Sequence, residues 1–380
     1  MKIIYADNIR FPSERAHSYQ IAQYCYQMAA LGHEVVLVTP DRSQEKDAAA
    51  YYGFPRQNFT HIALKTGDAL RYRWLPQSLA YLVQRYTFLR GLQRWARSES
   101  ADIWYTRSPA VIEALAQLSR KWVLEVHDDP THQARRWQRV KQQVRLYIPI
   151  SQGMKAYLLQ AGIPDYQLLV AHDGVDKEEV ERAPKQEFRS TLGIPQQAFL
   201  LVYTGSLYPW KGVDFVVEAW RHAPSHAHLL IVGGPEQDRT RVQRLIPEDV
   251  KARVHILPGM ARQEVFSLLK EADAALLPTS PAFTIGRNYT SPLKLFEYLA
   301  AGLPILSTDV PTAHEVLTDR LAQFFSTTKS AFVAALETLI ADTAWRAAVP
   351  GEAQHIVKQY TWQMRAKRIA DALERVRASS

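Results

Sequence analysis

Short apolar runs recur along the chain, separated by stretches in which apolar residues return at every third or fourth position. The runs fall at Lys2 to Asn8, Glu34 to Thr39, His61 to Leu64, Ile103 to Thr106, Trp122 to Val126, Tyr147 to Ile150 and Leu168 to Ala171. A second series follows at Phe199 to Tyr203, Leu229 to Val232, Val254 to Leu257, Ala274 to Leu277 and Pro304 to Ser307. Strands alternating with helices predict parallel sheets joined by crossover helices. The first helix is expected to begin near Ser13, a fitting N-cap, to carry Ile21, Cys25, Met28 and Leu31 at helical spacing, and to stop at Gly32. A polar, acidic stretch from Asp173 to Glu187 separates the two series, so the pattern predicts two doubly wound α/β domains, residues 1–172 and 173–360, with a hinge near residue 173. The stretch from Ala353 to Ala378 reads as one further helix.

The length of 380 residues agrees with two domains, since it exceeds what one hydrophobic core organises. With 47% hydrophobic and 22% charged residues the composition excludes collagen-like and disordered readings. Asp7 interrupts the first apolar residues, and no apolar stretch approaches the roughly 18 residues of a membrane span, so neither a signal peptide nor a spanning segment is expected. Cys25 is the only cysteine, which excludes an internal disulfide and Cys-rich zinc or iron-sulfur sites and suits a reducing cytoplasm.

Charge is distributed unevenly. The net charge is +8, and residues 1–170 carry 22 Lys and Arg against 14 Asp and Glu, whereas residues 171–380 carry 24 of each. Within residues 65–97, Lys65, Arg71, Arg73, Arg85, Arg90, Arg94 and Arg97 face only Asp68, interleaved with Tyr72, Trp74, Tyr81, Tyr86, Phe88 and Trp95. Two readings fit: a helix lying in an anionic lipid interface or against an anionic acceptor, and an ordinary core helix with a solvated basic face. No nucleic-acid module accompanies the charge, so nucleic acid is not expected as a partner.

In the second half, unusual residues follow directly after strands: Gly205 to Gly212, Gly233-Gly234-Pro235, Pro258-Gly259-Met260 and Thr290 to Lys294. In open parallel sheets that edge binds ligands. Ser291 is expected as an N-cap and Pro292 as the first residue of a helix over about 292–301, ended by Gly302. Its first turn leaves the amides of Leu293 and Lys294 at the positive end of the helix dipole, ready for a pyrophosphate. Glu297 lies one turn deeper, able to reach a ribose. Lys211, between strand and helix, can reach a second phosphate oxygen. No Gly-Lys-Ser/Thr triplet occurs and Gly233-Gly234 lacks a third glycine, which argues against P-loop hydrolysis and nicotinamide chemistry.

The pair Gly205 to Asp214 (GSLYPWKGVD) and Ser291 to Ile305 (SPLKLFEYLAAGLPI) resembles the retaining glycosyltransferases of family 4. Ala29 to Pro40, His127 and Asp173 to Asp176 resemble further family elements, so the similarity runs over most of the chain. It implies the GT-B fold: two Rossmann-like domains facing a central cleft, with residues 361–380 as a helix crossing back to the first. It implies a glycosyltransferase that moves a sugar from a nucleotide donor, UDP- or GDP-linked, to a glycan or lipid-linked acceptor, with retention, no cofactor and no metal. The family pattern makes His127, Lys211 and Glu297 the catalytic candidates. Donor contacts would come from Gly205, Ser206, Lys211, Met260, Thr290, Ser291, Pro292, Leu293, Lys294 and Glu297. The chain departs from the family at Tyr289, where a first glutamate is usual, and at Ser206, where many members have a phosphate-binding arginine. The missing charge is sought in Arg287 or Arg262.

His127 ends a strand and is expected to contact donor sugar or acceptor, with a structural histidine as the alternative. His127-Asp128-Asp129 lacks the spacing of a metal site and reads equally well as a helix start. Arg15 and His17, in the first strand-to-helix turn, are the acceptor-side candidates. An epimerase or phosphorylase on the same fold, and a non-catalytic donor-binding subunit, are the competing readings. The localisation expected is cytoplasmic, peripheral at the inner face of the membrane if residues 65–97 meet lipid.

Overall fold

The computed structural model describes residues 1–42, 47–67, 76–118, 120–127 and 134–378. Its strands are β1 (Lys2–Ala6), β2 (Glu34–Pro40), β3 (Thr60–Leu64), β4 (Ile103–Thr106), β5 (Trp122–Val126), β6 (Val144–Pro149), β7 (Phe199–Thr204), β8 (Ala227–Val232), β9 (Val254–Leu257), β10 (Ala274–Leu277), β11 (Ile305–Thr308) and β12 (Ala322–Phe325). They form two six-stranded parallel sheets, ordered β3-β2-β1-β4-β5-β6 and β12-β11-β10-β7-β8-β9. Chain order reverses between β1 and β4 in one sheet and between β7 and β10 in the other, the places where such sheets open a crevice at their carboxyl edge.

The chain divides into two compact units: Met1–Ile150 with Met154–Ala171 and Trp362–Ser380, and Ser151–Gly153 with His172–Thr361. In the first unit, Ile3, Tyr5, Leu37, Ile103, Val123 and Ile148 pack beneath Ile21, Cys25 and Met28 of the helix Ala16–Ala30 and Ile369, Leu373 and Val376 of the helix Trp362–Ala378. The last helix is thus part of the first unit's core, its apolar residues recurring at three- and four-residue spacing. In the second unit two clusters cover the two faces of the sheet, one holding Leu200, Val202, Leu230 and Leu299, the other Leu201, Tyr203, Leu229 and Leu306. Burial on both faces explains the continuous apolar strands.

Several expectations are corrected. Leu168 to Ala171 is no strand but runs beside β6 through the Leu169 and Ala171 amides and a single bridge. β12 has no counterpart among the expected strands, because Ala322–Phe325 contains a polar residue and is short. The first helix begins at Ala16 with Arg15 at its cap; the Ser13 amide is taken by the Tyr52 hydroxyl, which returns a bond to the Ser13 carbonyl. The helix read from Ala353 to Ala378 is two, Thr343–Val357 and Trp362–Ala378. The break lies at Thr361, whose backbone is extended, beside Tyr360, whose carbonyl accepts the Val175 amide at 3.0 Å. Asp68, Arg71, Tyr72, Arg73, Trp74, Asp128 and Asp129 lie outside the described residues.

The loop after β7 is pinned at Gly212, which has φ 74° and would place a Cβ 1.7 Å from the Pro278 carbonyl oxygen. Arg241 holds the same loop by donating to the Asp214 carboxylate and the Leu207 carbonyl. Gly212→Ala is therefore expected to lower the melting temperature well beyond Gly193→Ala, which meets open space and carries only left-handed strain of about 1–2 kcal/mol. Thermal unfolding of the two variants checks this; equal losses would show that the close approach to Pro278 is not limiting.

Candidate active site

In the second unit the predicted donor residues converge at the carboxyl edge, where β7 and β10 are neighbours. The helix that follows starts at Leu293 and ends at Ala300, with Pro292 rather than Ser291 at its cap. Ser291 is not the cap because its hydroxyl accepts the Asp173 amide at 2.9 Å. Thr290 lies half-buried just before it, and the first helical amides, on Leu293 and Lys294, begin this turn.

Lys294 is buried, at 7% exposure, and its ammonium has no hydrogen-bond partner. It stands 3.4 Å from the centroid of the Tyr203 ring and presses against Gly205, where a Cβ would come within 3.0 Å of it. Burial holds its ammonium well below the ordinary lysine range, the charge of Lys211 adds to the depression, and Glu297 opposes it. Lys211 lies 3.7 Å from the Trp210 ring centroid, and burial pulls it down to about 7. Two like charges in desolvated surroundings, one of them without a hydrogen-bond partner, disfavour each other's charged form. Ser206 brings no charge, and the cation against the preceding Gly205 is Lys294. Neither arginine expected there takes that place: Arg262 bridges Glu179 and Glu297, reaching the latter at 3.0 Å, and Arg287 is exposed on the short helix Thr284–Asn288.

Glu297 is nearly buried and sits one turn beyond Lys294, held by Arg262. Tyr289 is buried. Met260 is half-buried against the apolar cluster of this unit. The sequence patterns thus bring together Gly205, Ser206, Lys211, Lys294 and Glu297, while Met260 is defined by its packing.

In the first unit, Asp7 follows β1, Arg107 follows β4 and His127 follows β5. Asp7 accepts the Arg107 amide at 3.3 Å. The Arg107 guanidinium bonds Gln20 and Glu125, each at 2.8 Å. His127 bonds Glu125, which Arg365 of the last helix also reaches at 2.7 Å. His17 is half-buried, and burial with the charges of Arg107 and Arg15 lowers it to about 4; Arg15 is exposed. Burial and Arg107 likewise lower His127 to about 4. Glu125, Arg107 and Arg365 escape the sequence patterns, although a carboxylate inside the apolar run Trp-Val-Leu-Glu-Val is a signal for the first of them. Among the described residues, no cluster of three or more His, Cys, Asp or Glu could hold a metal ion.

Residues 198–342 match the family model Glycosyl transferases group 1, and residues 18–179 match Glycosyltransferase Family 4. A D-inositol 3-phosphate glycosyltransferase of Jonesia denitrificans is 24% identical over 402 residues, covering 93% of this chain and 89% of that protein. Among solved structures, sucrose-phosphate synthase from Thermosynechococcus elongatus superposes with a TM-score of 0.79 at 17% identity over the whole of both chains. HepE from Anabaena in complex with UDP gives 0.73 at 19% identity, over 99% of this chain and all of that one.

A lysine whose charged form is disfavoured in the fold carries a stability cost that is full at low pH and fades as pH rises towards its unfolded value. Lys294→Met is therefore expected to raise the melting temperature, with the gain shrinking as pH rises from neutral towards the ordinary lysine value. Thermal unfolding of both proteins across that range checks the sign. A variant less stable than the parent at neutral pH would mean that the ammonium is compensated.

Proposed function

The chain belongs to glycosyltransferase family 4, on the GT-B fold, and from that membership we propose that it moves a hexose from a nucleoside diphosphate donor to a hydroxyl of a glycan or lipid-linked acceptor, with retention and without a metal ion. The observation that carries this reading is the buried, unpartnered ammonium of Lys294 beside Lys211 at the start of the helix Leu293–Ala300. A diphosphate supplies the missing negative charge. Its pyrophosphate oxygens take the two ammonium groups and the first helical amides, and Glu297, steadied by Arg262, accepts from the ribose hydroxyls.

As the bond from the anomeric carbon to the phosphate oxygen breaks, negative charge grows on the leaving diphosphate. Lys211 and Lys294 stabilise it in a desolvated setting where such contacts are strongest. The acceptor oxygen bonds to the anomeric carbon from the face the phosphate leaves, and its proton passes to a departing phosphate oxygen. Lysine charge does the work that a cation does elsewhere, which supports metal independence. Arg15, His17 and His127 form the acceptor side, with His127 bonding a substrate hydroxyl.

The helix Gln77–Ala96 leaves Leu79, Tyr81, Leu82, Val83 and Tyr86 exposed, alongside exposed Arg90, Arg94 and Arg97. This supports the reading of that segment as a face for an anionic bilayer, so that the protein works in the cytoplasm at the inner face of a membrane. No helix among the described residues is long and apolar enough to cross one. Each basic residue near such a surface contributes about 1 kcal/mol. Co-sedimentation should show binding to phosphatidylglycerol vesicles, none to phosphatidylcholine vesicles, and loss of binding in Leu82→Glu with Tyr86→Glu. Equal behaviour on both lipids would remove the membrane from the proposal.

The donor is tested by thermal shift against UDP, GDP, ADP, CDP and TDP with and without EDTA, since a ligand that binds only the folded state raises its melting temperature. The expected result is an EDTA-insensitive shift with UDP or GDP, and a loss of about tenfold or more in affinity or rate in both Lys211→Ala and Glu297→Ala. No shift with any nucleotide would overturn the donor reading, and two variants that behave as the parent would overturn the site.

A further inference from the structure

Glu125 is wholly buried in β5, two residues before His127, so that strand alternation turns both side chains to one face of the sheet. Its Oε1 accepts from Arg107 at 2.8 Å, from Arg365 at 2.7 Å and from Nε2 of His127. The Tyr105 hydroxyl donates to Oε2. Arg107 is 9% exposed and Arg365 2% at their side chains, so the pairing is desolvated. A buried ion cluster of this kind is weak support for stability, because desolvation cancels most of the attraction. What distinguishes this one is that it ends on the histidine at the carboxyl edge of the sheet, whose ring keeps 16% of its side-chain surface accessible.

The chemistry of the bond assigns its direction. Two guanidinium groups, set among the buried Tyr5, Tyr24 and Tyr105, surround a carboxylate that stays ionised, and an ionised carboxylate can only accept. Nε2 of His127 must therefore carry the hydrogen. Burial, together with two cations against one anion among the described residues, disfavours a second proton on the ring, and the neutral imidazole keeps its Nδ1 lone pair. Among the described residues, the groups that bear on the ring are Glu125 on its own strand, Arg107 after β4 and Arg365 on the last helix.

We infer that Glu125 is a positioning residue for His127, locking the imidazole as the Nε2–H tautomer so that Nδ1 accepts a hydrogen bond from a substrate hydroxyl, with Arg107 and Arg365 as the counter-charges of the carboxylate. This rests on the reading of His127 as a residue that touches substrate. His127 then neither protonates the leaving diphosphate nor adds charge to it; it orients a hydroxyl. Arg365 gives the last helix a part in the site without touching substrate.

The test is a long-range ¹H–¹⁵N correlation on full-length protein labelled at histidine, with the His127 signals identified by their loss in His127→Gln. The expected spectrum has Nε2 protonated and Nδ1 bare, unchanged from about pH 8 down to about pH 5. An Nδ1–H tautomer, or an imidazolium near pH 7, overturns the inference on the parent protein alone. In Glu125→Gln the tautomers are expected to mix and kcat to fall about tenfold or more, while the thermal shift with donor nucleotide is kept, and Glu125→Asp should recover part of kcat. Mixed tautomers with an undiminished kcat would overturn the positioning role, and a Glu125→Gln protein that fails to fold leaves the spectrum of the parent to decide. Unimpaired turnover in His127→Ala would instead remove the substrate contact on which the inference rests.

Discussion

All strands in each sheet run the same way, and this constraint governs the rest of the molecule. Each strand must be followed by a crossover that returns the chain, so each ends at the same edge, and helices cover both faces. Function has only that edge left to use. The candidate residues of the proposed site stand there or on a following helix: His127 after β5, Lys211 after β7, and Lys294 and Glu297 on the helix before β11.

The two units handle buried charge in opposite ways. The Lys294 ammonium is buried with no hydrogen-bond partner, which costs the folded protein. Around Glu125 the carboxylate is saturated by four donors, which removes its reactivity and turns it into a fixed point for its neighbours. Under the proposed function the uncompensated charge would bind the donor and the compensated charge would orient a hydroxyl.

The architecture was legible because parallel strands buried on both faces write themselves as uninterrupted apolar runs, such as Leu-Leu-Val-Tyr at Leu200 to Tyr203. The positions of Lys211 after a strand and of Glu297 one turn into a helix were legible from the strand and helix pattern. Other features depend on partners distant in sequence. Ser291 reads as a cap by local chemistry, yet the Asp173 amide takes its hydroxyl. Arg365 looks like one basic residue among several on the last helix, and only its meeting with Glu125 singles it out. The side chain of Lys294, counted from sequence for its amide, gains its meaning from the desolvation around Tyr203 and Gly205.

The first unit is discontinuous, since the helix Trp362–Ala378 supplies Ile369, Leu373 and Arg365 to a unit otherwise built from residues no later in the chain than Ala171. On the ribosome that helix leaves the tunnel after every other element of either unit. The second unit has its whole sequence synthesised before the helix is made, whereas the first unit lacks Arg365, one of the donors to its buried carboxylate, until the helix follows. The order of synthesis and the order of completion are therefore inverted: the unit that begins first in the chain is the last whose sequence is complete.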